Sequence, residues 1–333
     1  MAETDAVGRD GMVAGTRWAL VLAAGEGSRL SEFIEQRGGV AVPKQFCTIR
    51  GGPSMLQETL RRAERVVTRD RIVTVVAEEH HEWWKHDLAA LPQSNIVVQP
   101  RNRGTAPGML LPLLAIAERD PDAKVVVLPS DHFFENEALA VDAVRVAYHG
   151  LDVERESVVL LGITPDEADS SLGWILPGRR SHGAFRRVER FVEKPSHEIA
   201  ESLMGMGGLW NSFIIAARAS TLVELYLQTL PSLLKTLALA RAWDARLPEA
   251  DAVREAYARL EISDFSRDVL ERSTDSLRVL PVPPCGWSDL GTPERLARCT
   301  ARLGRPEAAP LPTHRLVGGS VGVALRPTLA AVV

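Results

Sequence analysis

The chain has 333 residues, 45% of them apolar and 25% charged, with a formal net charge of -4. That length accommodates a large core and roughly two structural units, and the mild acidity gives no global field that would draw nucleic acid or an anionic membrane, so an anionic small molecule would need a local basic site. Cys47, Cys285 and Cys299 are odd in number and lack CxxC spacing, which points to reduced thiols, not a disulfide framework or a zinc knuckle.

Residues 1–17 are small, polar and acidic, without the basic start and apolar run of a secretion signal, and read as disordered or loosely attached. With no stretch approaching a membrane span, a cytoplasmic protein is expected, with no membrane or nucleic-acid partner. The first predicted strand is Trp18–Ala24, ending at Gly25. Similar apolar runs recur at Arg71–Ala77, Asn95–Gln99, Lys124–Leu128 and Ser157–Ile163. They lack strict alternation, as expected of strands covered on both faces. Between them, Ser54 to Gln57 reads as a capping box opening a helix through Val67, with Leu56, Leu60, Ala63 and Val67 on one face. A helix over 105–118 starts near Pro107 and should kink at Pro112, and Glu137–Tyr148 carries another apolar stripe. Strands alternating with helices predict an α/β fold built on a doubly wound, mainly parallel sheet.

Beyond residue 164 the pattern turns to shorter strands, Gly173–Leu176, Phe185–Glu193 and Leu209–Ala216, then to helical stretches at Leu222–Leu230 and Ala252–Leu260. A last strand, Leu277–Val282, precedes Trp287-Ser288-Asp289. The Pro-, Gly- and Ala-rich end reads as an arm. The expected organisation is a first part (18–163), a smaller mixed part of the same domain (164–300) and a C-terminal arm (301–333). His80 to His86 gives HExxxH, not the HExxH that puts two ligands on one helix face, so it reads as an amphipathic surface helix.

Leu22-Ala23-Ala24-Gly25-Glu26-Gly27-Ser28-Arg29-Leu30 follows the first strand directly. Glycines let successive N–H groups approach phosphate oxygens, and Arg29 adds a charged fork. A dinucleotide fold would want a third glycine where Leu30 stands and an acidic residue about 20 positions on, and neither is convincingly present.

Taken with Pro43-Lys44-Gln45-Phe46, this loop resembles the LAAGxGxRL and PKQF signature of the sugar-1-phosphate nucleotidyltransferases, most of all the mannose-1-phosphate guanylyltransferases (GDP-mannose pyrophosphorylases). The resemblance covers roughly residues 18 to 300, with about eight motifs in order. It implies a Rossmann-like fold of GT-A type. It further implies that backbone at Ala23, Ala24, Gly25, Gly27 and Ser28 wraps the nucleotide phosphates, while Arg29 and Lys44 contact them. Leu128-Pro129-Ser130-Asp131-His132 resembles the motif whose aspartate holds Mg²⁺, and Trp287-Ser288-Asp289-Leu290-Gly291 the one supplying its partner, which makes Asp131 and Asp289 the metal pair. Arg29, Lys44 and Asp131 are then the catalytic set. The run 99–107 matches the nucleobase segment, implicating Gln99, Asn102, Gly104 and Thr105, with Thr105 suited to cap the next helix. Gly173-Trp174-Ile175, Val192-Glu193-Lys194-Pro195 and Trp210-Asn211-Ser212-Phe213 resemble the sugar-phosphate elements, which assigns Gly173, Glu193, Lys194 and Asn211 to that substrate. Two departures stand out: 31–42 is longer than the usual connection and lacks Trp-Pro-Leu-Ser, and Phe213 stands where members often have glycine.

The implied reaction is Mg²⁺-assisted in-line attack of a sugar 1-phosphate on the α-phosphorus of GTP, giving GDP-mannose and pyrophosphate. A phosphate monoester is largely dianionic near neutrality, so no general base and no Ser-His-Asp triad is needed. The alternatives are a pyrophosphorylase for UTP, CTP or another sugar, a silent nucleotide-sugar-binding regulator, and an NAD-dependent oxidoreductase. Cytidylyltransferases of isoprenoid synthesis share the LAAG and PKQF portions but lack the EKP and WNS elements. The small-molecule partners are a nucleoside triphosphate and a sugar 1-phosphate; relatives commonly associate, which leaves a homo-oligomer open.

Overall fold

The computed structural model describes residues 16–26, 42–49, 51–242 and 249–302. Gly27, Ser28, Arg29, the connection 31–41, residues 1–15 and residues 303–333 lie outside the described residues, and with them those parts of the sequence reading.

Among the described residues, nine strands form one sheet: β1 Arg17–Ala23, β2 Ile72–Ala77, β3 Ile96–Gln99, β4 Lys124–Pro129, β5 Val158–Ile163, β6 Gly173–Arg180, β7 Arg186–Glu193, β8 Leu209–Arg218 and β9 Leu277–Val282. Their order is β3-β2-β1-β4-β8-β5-β9-β7-β6. The first four pair in parallel, with Leu20 opposite Val73 on one side and Val127 on the other. Antiparallel β8 joins this half to a mixed half in which β5 and β9 are parallel and β6, β7 and β8 run against their neighbours. Strand β5, grouped from sequence with the first part, hydrogen-bonds inside the mixed half, and the sheet is continuous across the junction.

The helices are α1 Met55–Glu64, α2 His81–Asp87, α3 Thr105–Arg119, α4 Glu137–Gly150, α5 His197–Gly205, α6 Ala219–Thr229, α7 Pro231–Arg241, α8 Glu249–Arg259 and α9 Pro293–Arg302. They cover both faces of the sheet. Ala19, Val21 and Ala23 pack with Met55, Leu56 and Leu60 of α1 and Val141 and Val144 of α4. Trp18 and Leu20, one residue out of step, pack on the other face with Met109 and Leu110 of α3 and Leu222 of α6. Strands buried on both faces favour apolar residues, which is why β2 and β4 read as near-continuous runs, with Thr74 inside β2 and Lys124 opening β4.

The capping box is present: Ser54 accepts from Gln57 N, and the Gln57 side chain accepts from Ser54 N. Helix α1 stops three residues before the predicted Val67, because the consecutive β-branched Val66, Val67 and Thr68 disfavour helix, and the chain leaves through tighter bonds such as Val66 N to Ala63 O at 3.0 Å. Helix α3 runs through Pro112 as one element. The His80–His86 stretch forms a short helix that buries Trp84 and Asp87, with Trp84 Nε1 donating to Ala77 O at 2.9 Å. No described helix is long and apolar enough to cross a membrane.

Candidate active site

A cleft of about 370 Å³ opens beyond the carboxyl ends of β1 and β4 and across the mixed half. Parallel strands all end on this side, which is where open α/β sheets collect ligand groups. On its walls stand Gly25, Lys44, Asp131, Glu193, Asn211 and Asp289, drawn from nearly the full length of the chain.

Sequence-local geometry supplies the first contacts. Ser130 follows β4 and ties back to β1, its N and Oγ both donating to Leu22 O at 3.0 and 2.7 Å. That bond holds Asp131 next to the turn after β1. Gln45 Nε2 donates to Gly25 O at 2.8 Å and Ala23 O at 3.2 Å, pinning the start of the glycine loop. The backbone of Ala23 is therefore already engaged, while Gly25 is exposed to the cleft and Ala24 half-buried between them. Lys44, adjacent to this clamp and only 6% exposed, donates through Nζ to Asp131 Oδ2 at 3.0 Å and to the Asp289 carbonyl.

Two residues 158 positions apart in number, Asp131 and Asp289, meet because their flanks are zipped together. Phe133 and Ser288 form a two-way bridge, N to O at 2.9 and 3.0 Å, and Trp287 packs edge-on to His132 at 5.3 Å. Burial, the largest influence on His132, pushes its imidazole down to about 4, so at neutral pH the ring is uncharged and its Nδ1 can accept from Trp287 Nε1 at 3.3 Å. Burial in the cleft also pushes the Asp131 carboxyl up, but the Lys44 charge, His132 and the hydrogen bonds outweigh it. The carboxyl therefore stays below its ordinary range and ionised. The Asp131 side chain keeps 41% of its surface open to the cleft. Asp289 directs Oδ1 to Arg295 at 2.5 Å; this arginine, 6% exposed, also pairs with Asp169 and lies over the Trp210 ring.

In the run expected to take the nucleobase, Gly104 adopts φ +90°, and a Cβ there would stand 2.2 Å from Ser263 O. Only glycine fits that approach. Thr105 does not cap α3 as expected. It is the first helical residue, and its hydroxyl accepts from Phe265 N at 2.7 Å and donates to Asp264 at 3.0 Å. The tertiary contact outcompetes the local one. Asn102 bridges Glu26 (2.8 Å) and Gly104 N (2.9 Å) at the surface. Gln99, 2% exposed, turns its amide to Arg101 O at 2.7 Å and its oxygen toward Gly108, so its side chain lies beneath the loop and not on the cleft wall.

On the other wall β6, β7 and β8 bring Gly173, Glu193 and Asn211 together. A Cβ at Gly173 would stand 2.6 Å from Glu193 Oε2 and 3.3 Å from Asn211 Cβ, so glycine opens the space those side chains face. Asn211 Oδ1 accepts from Phe213 N at 3.1 Å. Lys194 Nζ sits 3.7 Å from Glu193 Oε1 and remains half exposed. Among the described residues, the non-glycine residues with left-handed φ are Lys194 (+49°), Phe213 (+55°) and Leu290 (+47°). The first two line the cleft and the third follows Asp289. Strain of this kind persists only where surrounding structure enforces it, and it clusters at functional sites.

The structure also brings residues to the cleft that the sequence reading did not assign: His132, Asp264 and Ser266. Gln45 carried a signal inside its quoted motif. Asp264 and Ser266 carried none, since their placement depends on the long-range contact of 263–265 with Gly104, Thr105 and Ala106.

The chain is similar to the Xanthan biosynthesis protein XanB of Xanthomonas campestris, 33% identical over 279 residues covering 82% of this chain and 57% of the relative. It is similar to the mannose-1-phosphate guanylyltransferase ManC of Salmonella typhimurium, 33% identical over 288 residues covering 83% of this chain and 58% of the relative. It thus spans under three-fifths of the length of these curated relatives. Among solved structures, a Thermus thermophilus protein described as a mannose-1-phosphate geranyltransferase superposes with a TM-score of 0.73 at 28% identity, over 88% of this chain and 81% of that one. The sequence pattern of the family described as Nucleotidyl transferase matches residues 18–305, which contain every wall of the cleft. The chain belongs to the nucleotidyl transferase family.

Proposed function

We propose that the chain transfers a nucleotidyl group from GTP to mannose 1-phosphate, giving GDP-mannose and pyrophosphate. The observation that carries this reading is the junction of Lys44 Nζ with Asp131 Oδ2 and the Asp289 carbonyl inside the cleft, with Glu193, Lys194 and Asn211 on the facing wall. Family membership supports the reaction class, and the relative named mannose-1-phosphate guanylyltransferase supports the substrates.

Two hard carboxylates, Asp131 held ionised, border one cleft with room for phosphate oxygens and water. That donor set fits Mg²⁺, which binds through one or two carboxylates plus substrate phosphates. Asp131 and Asp289 would hold it, and bound there it would neutralise charge developing around the α-phosphorus. In this reading Lys44 exchanges its contact with Asp131 for an α-phosphate oxygen, and Gln45 keeps the glycine loop in position. Lys194 takes the sugar phosphate, while Glu193 and Asn211 hold the ring so that the phosphate oxygen lies in line with phosphorus. The nucleophile is already a dianion, so catalysis rests on alignment and charge, with no proton abstracted by a side chain. Residues 18–163 then serve chiefly the nucleotide and 164–300 the sugar phosphate.

The test is pyrophosphate release across four nucleoside triphosphates and several sugar 1-phosphates, with Mg²⁺ and with chelator. The expected result is a maximum at GTP with mannose 1-phosphate, abolished by chelator. Another pair at the maximum would overturn the substrate assignment, and no release with any pair would overturn the reaction.

A further inference from the structure

The segment 263–266 connects the two substrate walls. Its backbone is locked to the nucleobase side, with Ser263 N donating to Arg103 O at 3.0 Å, Ala106 N to Ser263 O at 3.2 Å and Phe265 N to Thr105 Oγ1 at 2.7 Å. Its side chains reach the sugar side. Ser266, 2% exposed, and Asp264 line the same cavity as Glu193, and both act on its carboxyl, the Ser266 hydroxyl favouring the ionised form and the Asp264 charge opposing it. Asp264 is fixed in place by the Thr105 hydroxyl on Oδ2 (3.0 Å), by Arg267 N on Oδ1 (3.0 Å), and by its own N donating to Asp268 at 2.8 Å. Each oxygen keeps a lone pair beyond these contacts.

Resting on the sugar 1-phosphate reading above, we propose that Asp264 and Ser266 complete the sugar pocket, Ser266 orienting the Glu193 carboxylate and Asp264 standing beside it as a second carboxylate, so that the pocket selects neutral pyranose 1-phosphates over those that carry a ring carboxylate. Lys194 stands beside Glu193, its Nζ 3.7 Å from Oε1, so a cation for the phosphate lies next to carboxylates that accept ring hydroxyls. A sugar 1-phosphate offers the matching groups, anionic at C1 and rich in donors around the ring. A hexuronic acid 1-phosphate would set a third carboxylate against the pair, and juxtaposed like charges disfavour that complex.

The groups facing Glu193 act in opposite senses. Burial, first, and the Asp264 charge, second, push its carboxyl up to about 7, while Lys194, the Ser266 hydroxyl and Arg267 pull it down; its neighbours Gly173 and Asn211 are neutral. Ring hydroxyls bind the ionised form better, so affinity for the sugar phosphate should improve as pH rises through about 7. Removing the Asp264 charge eases ionisation and moves the transition to lower pH. Removing the Ser266 donor moves it to higher pH.

The experiment measures KM and kcat for mannose 1-phosphate and a hexuronic acid 1-phosphate from pH 6 to 8.5 in the unaltered full chain, Asp264→Asn, Ser266→Ala and Ser266→Thr. The expected unaltered preference for the neutral sugar is at least about tenfold in kcat/KM, narrowing to within about threefold in Asp264→Asn. The pH transition in sugar KM should shift down in Asp264→Asn and up in Ser266→Ala, by about half a pH unit each, with Ser266→Thr restoring it. The fold-change in the sugar KM should exceed that in the nucleotide KM in every variant. An active enzyme whose variants move the transition in the same direction, or move nucleotide and sugar KM together, would overturn this inference and leave the parent reading standing. Inactivity of the unaltered chain with every sugar phosphate would overturn both.

Discussion

In the parallel half of the sheet the cleft groups sit on loops just past strand ends: Gly25 after β1, Asp131 after β4, and Thr105 opening the helix after β3. In the mixed half they are strand residues themselves, Gly173, Glu193 and Asn211, facing the cleft from β6, β7 and β8. The first arrangement gives backbone amides and a buried lysine paired with an aspartate open to the cleft, suited to a polyphosphate that is bound by charge and by N–H groups. The second gives rigid carboxylate and amide acceptors, suited to hydroxyls whose stereochemistry has to be told apart. It also contains two of the left-handed non-glycine residues, Lys194 and Phe213. A loop can be re-aimed by a turn, whereas a strand residue can be re-aimed only by distorting the strand around it.

The sharpest way to break the comparison is at the phosphate end. Asp131→Asn should lower kcat on the order of 10³-fold with the fold retained, because it removes charge that acts mainly in the transition state. The check is pyrophosphate release together with the melting curve, and a loss under tenfold would detach Asp131 from the chemistry. The next effect is on stability. Arg295→Ala leaves the Asp289 and Asp169 carboxylates, 18% and 14% exposed, without their shared cation, and should cost about 3 kcal/mol in denaturant unfolding. A change below about 0.5 kcal/mol would mean that Arg295 does not hold Asp289 in place. The smallest effect tests the strained wall. Phe213→Gly relieves a left-handed conformation worth about 1–2 kcal/mol but removes a half-buried ring packed edge-on to Phe265 at 6.2 Å. The opposed contributions should leave stability within about 1 kcal/mol, with the change showing in the sugar KM and not the nucleotide KM. A nucleotide KM that rises instead would blur the two walls into one.

How much of this was legible in the sequence divides along the same line. Strands β1, β2 and β4 could be read from apolar runs, since burial on both faces leaves few polar positions in them, whereas β7 sets exposed charges beside the buried Val188 and Phe191. The Asp131, Lys44 and Glu193 motifs were legible because each is a run of residues a few positions apart. What could not be read depends on contacts across the chain: the Phe133–Ser288 bridge that joins the two aspartates, the turn of Thr105 toward Asp264 in place of capping, and the burial of the Gln99 side chain. Neither Asp264 nor Ser266 belongs to a pattern of its own. Their role follows from a segment docking on Gly104, where the missing Cβ admits Ser263 O.

In the proposed reaction Lys44 and Asp131, 87 positions apart and in contact at 3.0 Å, act as one unit on the same phosphorus. A double-mutant cycle in kcat, with Lys44→Met, Asp131→Asn and the combined variant, tests it directly. Groups that act together lose little more when both are removed, so the double variant should fall within about tenfold of the worse single. Losses that multiply in full would mean that the two residues serve separate steps, and would contradict the account.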